Sequence, residues 1–333
     1  MNKLLWRLAL VVASLLWVVI HSRPSLAIDD QVGYPHQSIH IIVPFVPAGA
    51  ADFVARSVQN SFSGFLGQSV IIDNRPGASG TIGTAEAARA PSDGYTLFLG
   101  NVGTLSVNPS LFPHLQLRPH ESFSPISLIA DMPDVLIANN SFPPNSVKEL
   151  VDYVKSKRGV INFASPGSGS LNRLEMEVFR KDAELEMQHV PYKGGAASAV
   201  MDVLAGHVDL MFTTIASAIE QIKNHNVKVL AVTSKERIPA LPDVPTMLEL
   251  GYRNSVSSSW QGLLVPKDTS RAIIDLLYQT TVHVVSDSEV QRRLIEGGVL
   301  PVISKSPEEF ASFIGSEAAR WGKVVKETGA TAD

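Results

Sequence analysis

The sequence predicts an α/β protein with two parallel or mixed sheets and a cleft between two lobes. Three observations carry that expectation. Strand-like runs alternate with helical patterns almost throughout the 333 residues. Two long segments, near residues 130 and 256, read as crossovers between sheets. Charged residues make up 18% of the chain, below the ~25% usual for globular proteins, which suits a core-rich fold.

The first 27 residues stand apart from that fold. Lys3 and Arg7 flank the start of an apolar run, Leu8 to Ile20, and "SRPSLA" follows with small residues at Ser25 and Ala27. This is the order of a secretory signal peptide cleaved after Ala27. A run of 13 residues falls short of the roughly 20 that a membrane span needs. Loss of Lys3, Arg7 and Arg23 with the leader takes the net charge from −4 to −7. A negative surface without lysine or arginine runs argues against nucleic acid and anionic membrane as partners. With no cysteine in the chain, an exported protein must draw its stability from packing instead of disulfides.

The elements follow in order. "SIHIIVPF" (38–45), "QSVIIDN" (68–74) and "YTLFLG" (95–100) are short β-rich runs. Val54, Val58, Phe62 and Phe65 lie between the first two at helical spacing. This β-α-β-α-β order predicts parallel pairing with helical crossovers. "ISLIADMPDVLIANN" (126–140), interrupted by Pro133, reads as two strands or as one that crosses between sheets. Ser146 with Glu149 forms a capping box, and Gly159 closes that helix. Ser286 with Glu289 repeats the pattern, as does Ser306 with Glu309, where Pro307 takes the first helical position. "GVINFAS", "MQHVPY", "HVDLMFT" and "VKVLAVTS" are buried strands. "SVSSSWQGLLVP" (255–266) resembles the earlier crossover. The expected division is 28–131 for the first lobe, 132–255 for the second, and 256–333 for a return that completes the first.

Most catalytic chemistries fail on inventory. There is no thiol and no G-x-S-x-G, and "SPGSGS" has the wrong order for a nucleophile elbow. "GASGTIG" (77–83) spaces its glycines unlike a dinucleotide fingerprint, and no phosphate loop occurs. No histidine pair has metal-ligand spacing on a helix, so His36 and His40 read as solvated. Glu308–Glu309 and Glu175–Glu177 read as solvated helix faces. No cofactor or metal is expected.

Three junctions share one character, a strand followed by small residues and then a helix. They are "PFVPAGAAD" (44–52), "GNVGT" (100–104) and "ASPGSGSLN" (164–172). In parallel sheets such loops sit at the strands' carboxyl ends, where ligands bind. Helix N-termini there present free N–H groups to an anion. Ser165, Ser168, Ser170 and Thr104 add hydroxyls. Taken singly, each loop is an ordinary turn, with Ser170 an N-cap and Asp52 a first-turn acid answering the helix dipole. Together they suggest a shared anion site. Tyr192 walls the cleft or is a core tyrosine with a satisfied hydroxyl. Trp260 reads as hinge packing.

Over these segments the mature chain resembles the Bug-type receptors of the tripartite tricarboxylate transporter family. "VIIDNRPGASGTIGTAEAARAPSDGYTLFLGNVGT", "HVPYKGGAASAVMDVLAGHVDLMF" and "LAVTSKERIPALPDVPTMLELGY" carry the likeness. The resemblance implies a periplasmic binding protein of the two-lobe, type II-like Venus-flytrap kind. Such a protein closes on a small carboxylate and hands it to membrane permease subunits. Carried over by position, Phe45, Pro47, Ala48, Gly49, Ala50 and Asp52 form one jaw, with Gly100, Asn101 and Thr104 beside it. Ser165, Gly167, Ser168, Gly169 and Ser170 form the other, with Tyr192 lining the cleft. The family commonly has consecutive glycines where this chain reads Gly49-Ala50, so Ala50 is expected to restrict φ. Thr213 and Thr214 replace a frequent acid–amide pair and leave the far pocket neutral. This favours a dicarboxylate or aromatic acid over an amino acid.

A monomeric receptor is thus the leading expectation. A ligand sensor, an exported hydrolase and a non-binding scaffold are the alternatives.

Overall fold

The structure is a computed structural model that describes residues 33–331, apart from 116, 117, 168 and 193. The expected leader, 1–27, lies outside the described residues, as does Ser168. The described residues from Gln37 onward form one compact unit.

The chain opens with β1 (Ile39–Val43), α1 (Ala50–Leu66), β2 (Val70–Asn74), a 3₁₀ turn at Ala78–Gly80, α2 (Thr81–Ala88) and β3 (Thr96–Asn101). β1 pairs in parallel with both β2 and β3, so that Ile41 lies opposite Ile72 and Leu97. Isoleucine and valine dominate because helices cover both faces of such a sheet. A π-turn at Gly103–Val107 and short turns lead into β4 (Phe123–Asp131). The first sheet then gains β10 (Gln261–Pro266), antiparallel to β3 and β4, and the two-residue β11 (Leu300–Pro301), giving the order β11-β4-β10-β3-β1-β2.

"ISLIADMPDVLIANN" does both things its sequence allowed. It makes two strands, and Met132–Pro133 carries the chain from β4 to β5 (Asp134–Asn139), which lies in a second sheet. There follow α3 (Val147–Ser156), β6 (Asn162–Ser165), α4 (Leu171–Ala183), β7 (Gln188–Pro191), α5 (Gly195–Ala205), β8 (Leu210–Thr214), α6 (Ile215–Lys223) and β9 (Val227–Val232). The order is β7-β6-β8-β5-β9. β6 is parallel to its neighbours, and β5 is antiparallel to β8 and β9. After β10 the chain adds α7 (Arg271–Ser286), α8 (Ser288–Glu296) and α9 (Pro307–Thr328). The result is a two-lobe α/β fold with mixed sheets.

Helix caps explain where several elements begin. Ser146 Oγ accepts the Glu149 N–H, while Glu149 accepts the Asn145 N–H. Ser306 and Glu309 do the same with Pro307 in the first turn. α3 ends at Ser156, however, and Gly159 (φ +67°) belongs to the turn beyond it. The expected cap Ser286 is instead the last residue of α7. Asp287 caps α8, its Oδ1 accepting from both the Glu289 and Val290 N–H groups, and its charge also suits the positive end of the helix.

Val54, Val58 and Phe62 bury one face of α1 as their spacing requires, but Phe65 remains 46% exposed, its ring 4.4 Å from that of His283. Trp260 is buried edge-on against Phe310 and Phe313 and donates to Glu317 Oε2 at 3.1 Å. One core cluster joins Phe98, Trp260 and Trp321 to Leu171 and Leu174. The first turns of α4 therefore pack on residues of the first sheet and of α9. Each fully buried large side chain contributes about 1.5–3 kcal/mol.

Candidate functional site

Two helices of the first lobe, and one of the second, begin at glycine with no side-chain cap. They are α1 at Gly49, α2 at Gly80 and α5 at Gly194. The other labelled helices, α3, α4 and α6 to α9, start at Ser, Thr or Asp caps. Uncapped N-termini leave first-turn N–H groups and the positive end of the helix dipole available to an anion.

In the first jaw the backbone is held in a costly shape. Ala48 adopts φ +63°, a left-handed conformation that costs a non-glycine residue roughly 1–2 kcal/mol. Asp52 Oδ2 secures it, accepting the Ala48 N–H at 2.9 Å and Arg56 Nε at 2.8 Å. Burial pushes the Asp52 carboxyl up, but the hydrogen bonds from Arg56, Ala48 and Asn74 outweigh this and hold it below the usual range. Asn74 also donates to the Phe45 carbonyl. Ala50, expected to restrict φ, is the first residue of α1, where helical geometry accepts any side chain. The strain falls two residues earlier.

"GASGTIG", notable in the sequence only for failing a nucleotide pattern, builds the jaw's second wall. Gly77, Ala78, Ser79 and Gly80 all have positive φ, and two of them are not glycine. A β-carbon on Gly80 would lie 2.9 Å from Thr104 Cγ2 and 3.3 Å from the Phe45 ring. This places the loop between the two predicted junctions. The GASG spacing, with two small residues enclosed by glycines, was the available signal.

The third loop is self-capped. Thr104 N–H donates to Asn101 Oδ1 at 2.9 Å, and the Asn101 N–H donates to Thr104 Oγ1 at 3.0 Å. Gly100 is a packing residue instead, since a β-carbon there would meet Leu105 at 2.6 Å and Leu264 at 2.9 Å.

In the second lobe Ser165 is buried and shares a 2.6 Å hydrogen bond with His189 Nε2, a partner that the sequence did not suggest. Ser165 Oγ also donates to the Gly167 carbonyl, and Gly167 takes φ +135°. Ser170 Oγ caps α4, accepting from Arg173. Tyr192 leans on Ser165 through its N–H, but its hydroxyl donates to Asp202 Oδ2 at 2.7 Å. Burial and the Asp202 charge push that phenol up to about 12, so the satisfied-hydroxyl alternative describes its polar end. Thr214 caps α6, and Thr213 Oγ1 is fully buried with no hydrogen-bond partner among the described residues.

The two jaws meet. A β-carbon on Gly169 would lie 3.2 Å from Ser79 Oγ, 3.6 Å from Leu111 and 3.7 Å from Phe112. A separate cavity of about 250 Å³ lies among Phe123, Leu264, Lys267, Ile274 and Ile314, and Leu105 and Leu264 of its lining adjoin Gly100 of the third loop. Among the described residues no cluster of three metal-ligating side chains occurs, and no helix is long and apolar enough to cross a membrane.

Residues 54–330 match the family model described as tripartite tricarboxylate transporter family receptor. The periplasmic binding protein BugD is 35% identical, with a TM-score of 0.80 over 90% of this chain and 100% of its own. An adipate-bound protein from R. palustris is 30% identical, with a TM-score of 0.83 over 90% and 99%. MatC from Rhodopseudomonas palustris, with bound malate, is 32% identical, with a TM-score of 0.79 over 88% and 100%. The chain belongs to the tripartite tricarboxylate transporter receptor family, Bug-type periplasmic solute-binding proteins that serve transport and are not enzymes.

Proposed function

We propose that this receptor captures a small dicarboxylate between its two jaws and delivers it to membrane permease subunits. It acts as a monomer, exported with cleavage after Ala27. The lobes are 28–131 with 256–333, and 132–255. The observation that carries the ligand reading is the set of glycine-capped helix starts at Gly49, Gly80 and Gly194. Two lie in one jaw and one beside Ser165 in the other, which suits a ligand with an anionic group at each end. The adipate and malate held by the two R. palustris proteins support the same class. Thr213, with a bare buried hydroxyl, supplies a neutral donor or acceptor.

The test is calorimetric titration of the mature protein with mono-, di- and tricarboxylates, an aromatic acid, an amino acid and a neutral sugar. A dicarboxylate is expected to bind most tightly. Binding of the sugar alone, or of no acid, would overturn the reading.

A further inference from the structure

The crossover between the sheets conceals a pair of carboxyl groups that solute capture does not use. Asp134 opens β5 directly after Met132–Pro133, and Glu175 lies in α4. Their exposures are 0% and 1%, so Glu175 is not the solvated helix-face acid that its neighbourhood in sequence suggested. The two carboxyls lie within hydrogen-bonding reach of each other. Ser257 Oγ donates to Glu175 Oε1 at 2.5 Å, Asn172 Nδ2 to Glu175 Oε2 at 3.3 Å, and Ser259 Oγ to Asp134 Oδ2 at 3.2 Å.

Main-chain bonds tie the same point into both crossovers. Thr233 Oγ1 accepts the Asp134 N–H and donates to the Ser257 carbonyl, while the Ser259 N–H donates to the Met132 carbonyl. The pair thus joins the outgoing crossover, the return crossover and the helix whose N-terminus carries the second jaw.

Two carboxylates in contact cannot both be ionised without strong repulsion. Burial pushes the Glu175 carboxyl up as well, but the hydrogen bonds from Asp134, Ser257 and Asn172 and the charge of Arg320 oppose that push, so of the two Glu175 is the readier to ionise. Asp134 Oδ1 has no hydrogen-bond partner unless it carries a proton to donate. Burial, then the neighbouring Glu175, push Asp134 well above the usual range.

The surrounding charges do not cancel a second ionisation. α9 brings Arg320, already bonded to the Asn254 and Val256 carbonyls and beside Glu317. β4 ends in Asp131, itself pushed up by burial and by Glu317. β6 and β8, packed on α4, bring no titratable residue, while the turn at Arg253–Ser255 brings Arg253. Beside β5, β9 brings Lys228, bonded to the Phe142 and Pro144 carbonyls, and α5 brings Asp202, bonded to the Tyr192 hydroxyl.

We infer that Asp134 keeps a proton that it donates to Glu175, and that this proton is a pH-sensitive latch on the hinge. Its loss places two adjacent negative charges between α4 and the crossovers and loosens them. The inference goes beyond the reading of the cleft and stands whichever ligand is bound.

Unfolded, both groups ionise at about pH 4. A proton retained by the folded state is released on unfolding above that pH. Stability therefore declines as pH rises from about 4 to the pair's own folded pKa, with the unfolding constant growing about tenfold per unit for one proton.

The test compares wild type with Asp134→Asn, whose amide N–H replaces the shared O–H. Relative to the variant, wild type should show that one-proton decline in urea unfolding, and a protonated-carboxyl infrared band at neutral pH that the variant lacks. Ligand-free wild type should also expand in small-angle scattering as the pair ionises, while Asp134→Asn keeps its dimensions. Parallel unfolding profiles, or no such band in wild type, would overturn the shared proton. Unchanged dimensions through the titration would overturn the latch. Should Asp134→Asn fail to fold, Glu175→Gln carries the same comparison, and the infrared band of wild type decides alone.

Discussion

Ala48 and Asp52 show how one strained residue and one buried acid shape the first jaw. Ala48→Gly removes the left-handed cost of roughly 1–2 kcal/mol, less about 0.4–1 kcal/mol for the freer unfolded chain. Chemical denaturation should therefore record a gain of about 0.5–1 kcal/mol, whereas Ala48→Val should lose stability. Asp52→Ala removes a charged acceptor from the Ala48 N–H, worth about 1.5–3 kcal/mol. The half-exposed Arg56 adds little, because solvent screens it. The pH sign follows from the lowered pKa of Asp52. Its contribution is complete above the unfolded value near 3.9 and is lost as pH falls through the folded one. Urea midpoints of wild type and Asp52→Asn should thus converge in acid and separate above about pH 4. Asp52 was legible in the sequence as a first-turn acid. Its hold on Ala48 was not, since no propensity marks an alanine for positive φ.

At the scale of elements, local signals carried the reading furthest. Strands with Ile/Val runs and helices with Ser–x–x–Glu starts were legible because their causes lie within a few residues. The Ser306 cap of α9 is an instance, and Ser306→Ala should cost about 1 kcal/mol in denaturation while leaving ligand affinity unchanged. Elements were misread where the cause is distant. Glu175 resembles any helical acid until β5 brings Asp134 and the return crossover brings Ser257 against it. Gly100 resembles a loop glycine until Leu264, from far along the chain, fills the space beside it.

Across the whole molecule, the two sheets and their crossovers were foreshadowed by the alternation of strand and helix and by two long segments. The approach of Gly169 to Ser79 was not, because contact between lobes leaves no periodicity in either. That contact makes a prediction. Gly169→Val adds bulk where a β-carbon already sits 3.2 Å from Ser79 Oγ. Calorimetry should find affinity reduced about tenfold or more, some 1.4 kcal/mol, with the ligand-free protein still folded.

Ligand is expected between the glycine-capped helix starts of opposite lobes. Amide hydrogen exchange with and without a saturating dicarboxylate tests it most directly. Ligand should slow exchange together at residues 45–52, 78–82, 165–170 and 194–197. Protection absent from these segments, or confined to the cavity around Phe123, Leu264 and Ile314, would contradict it.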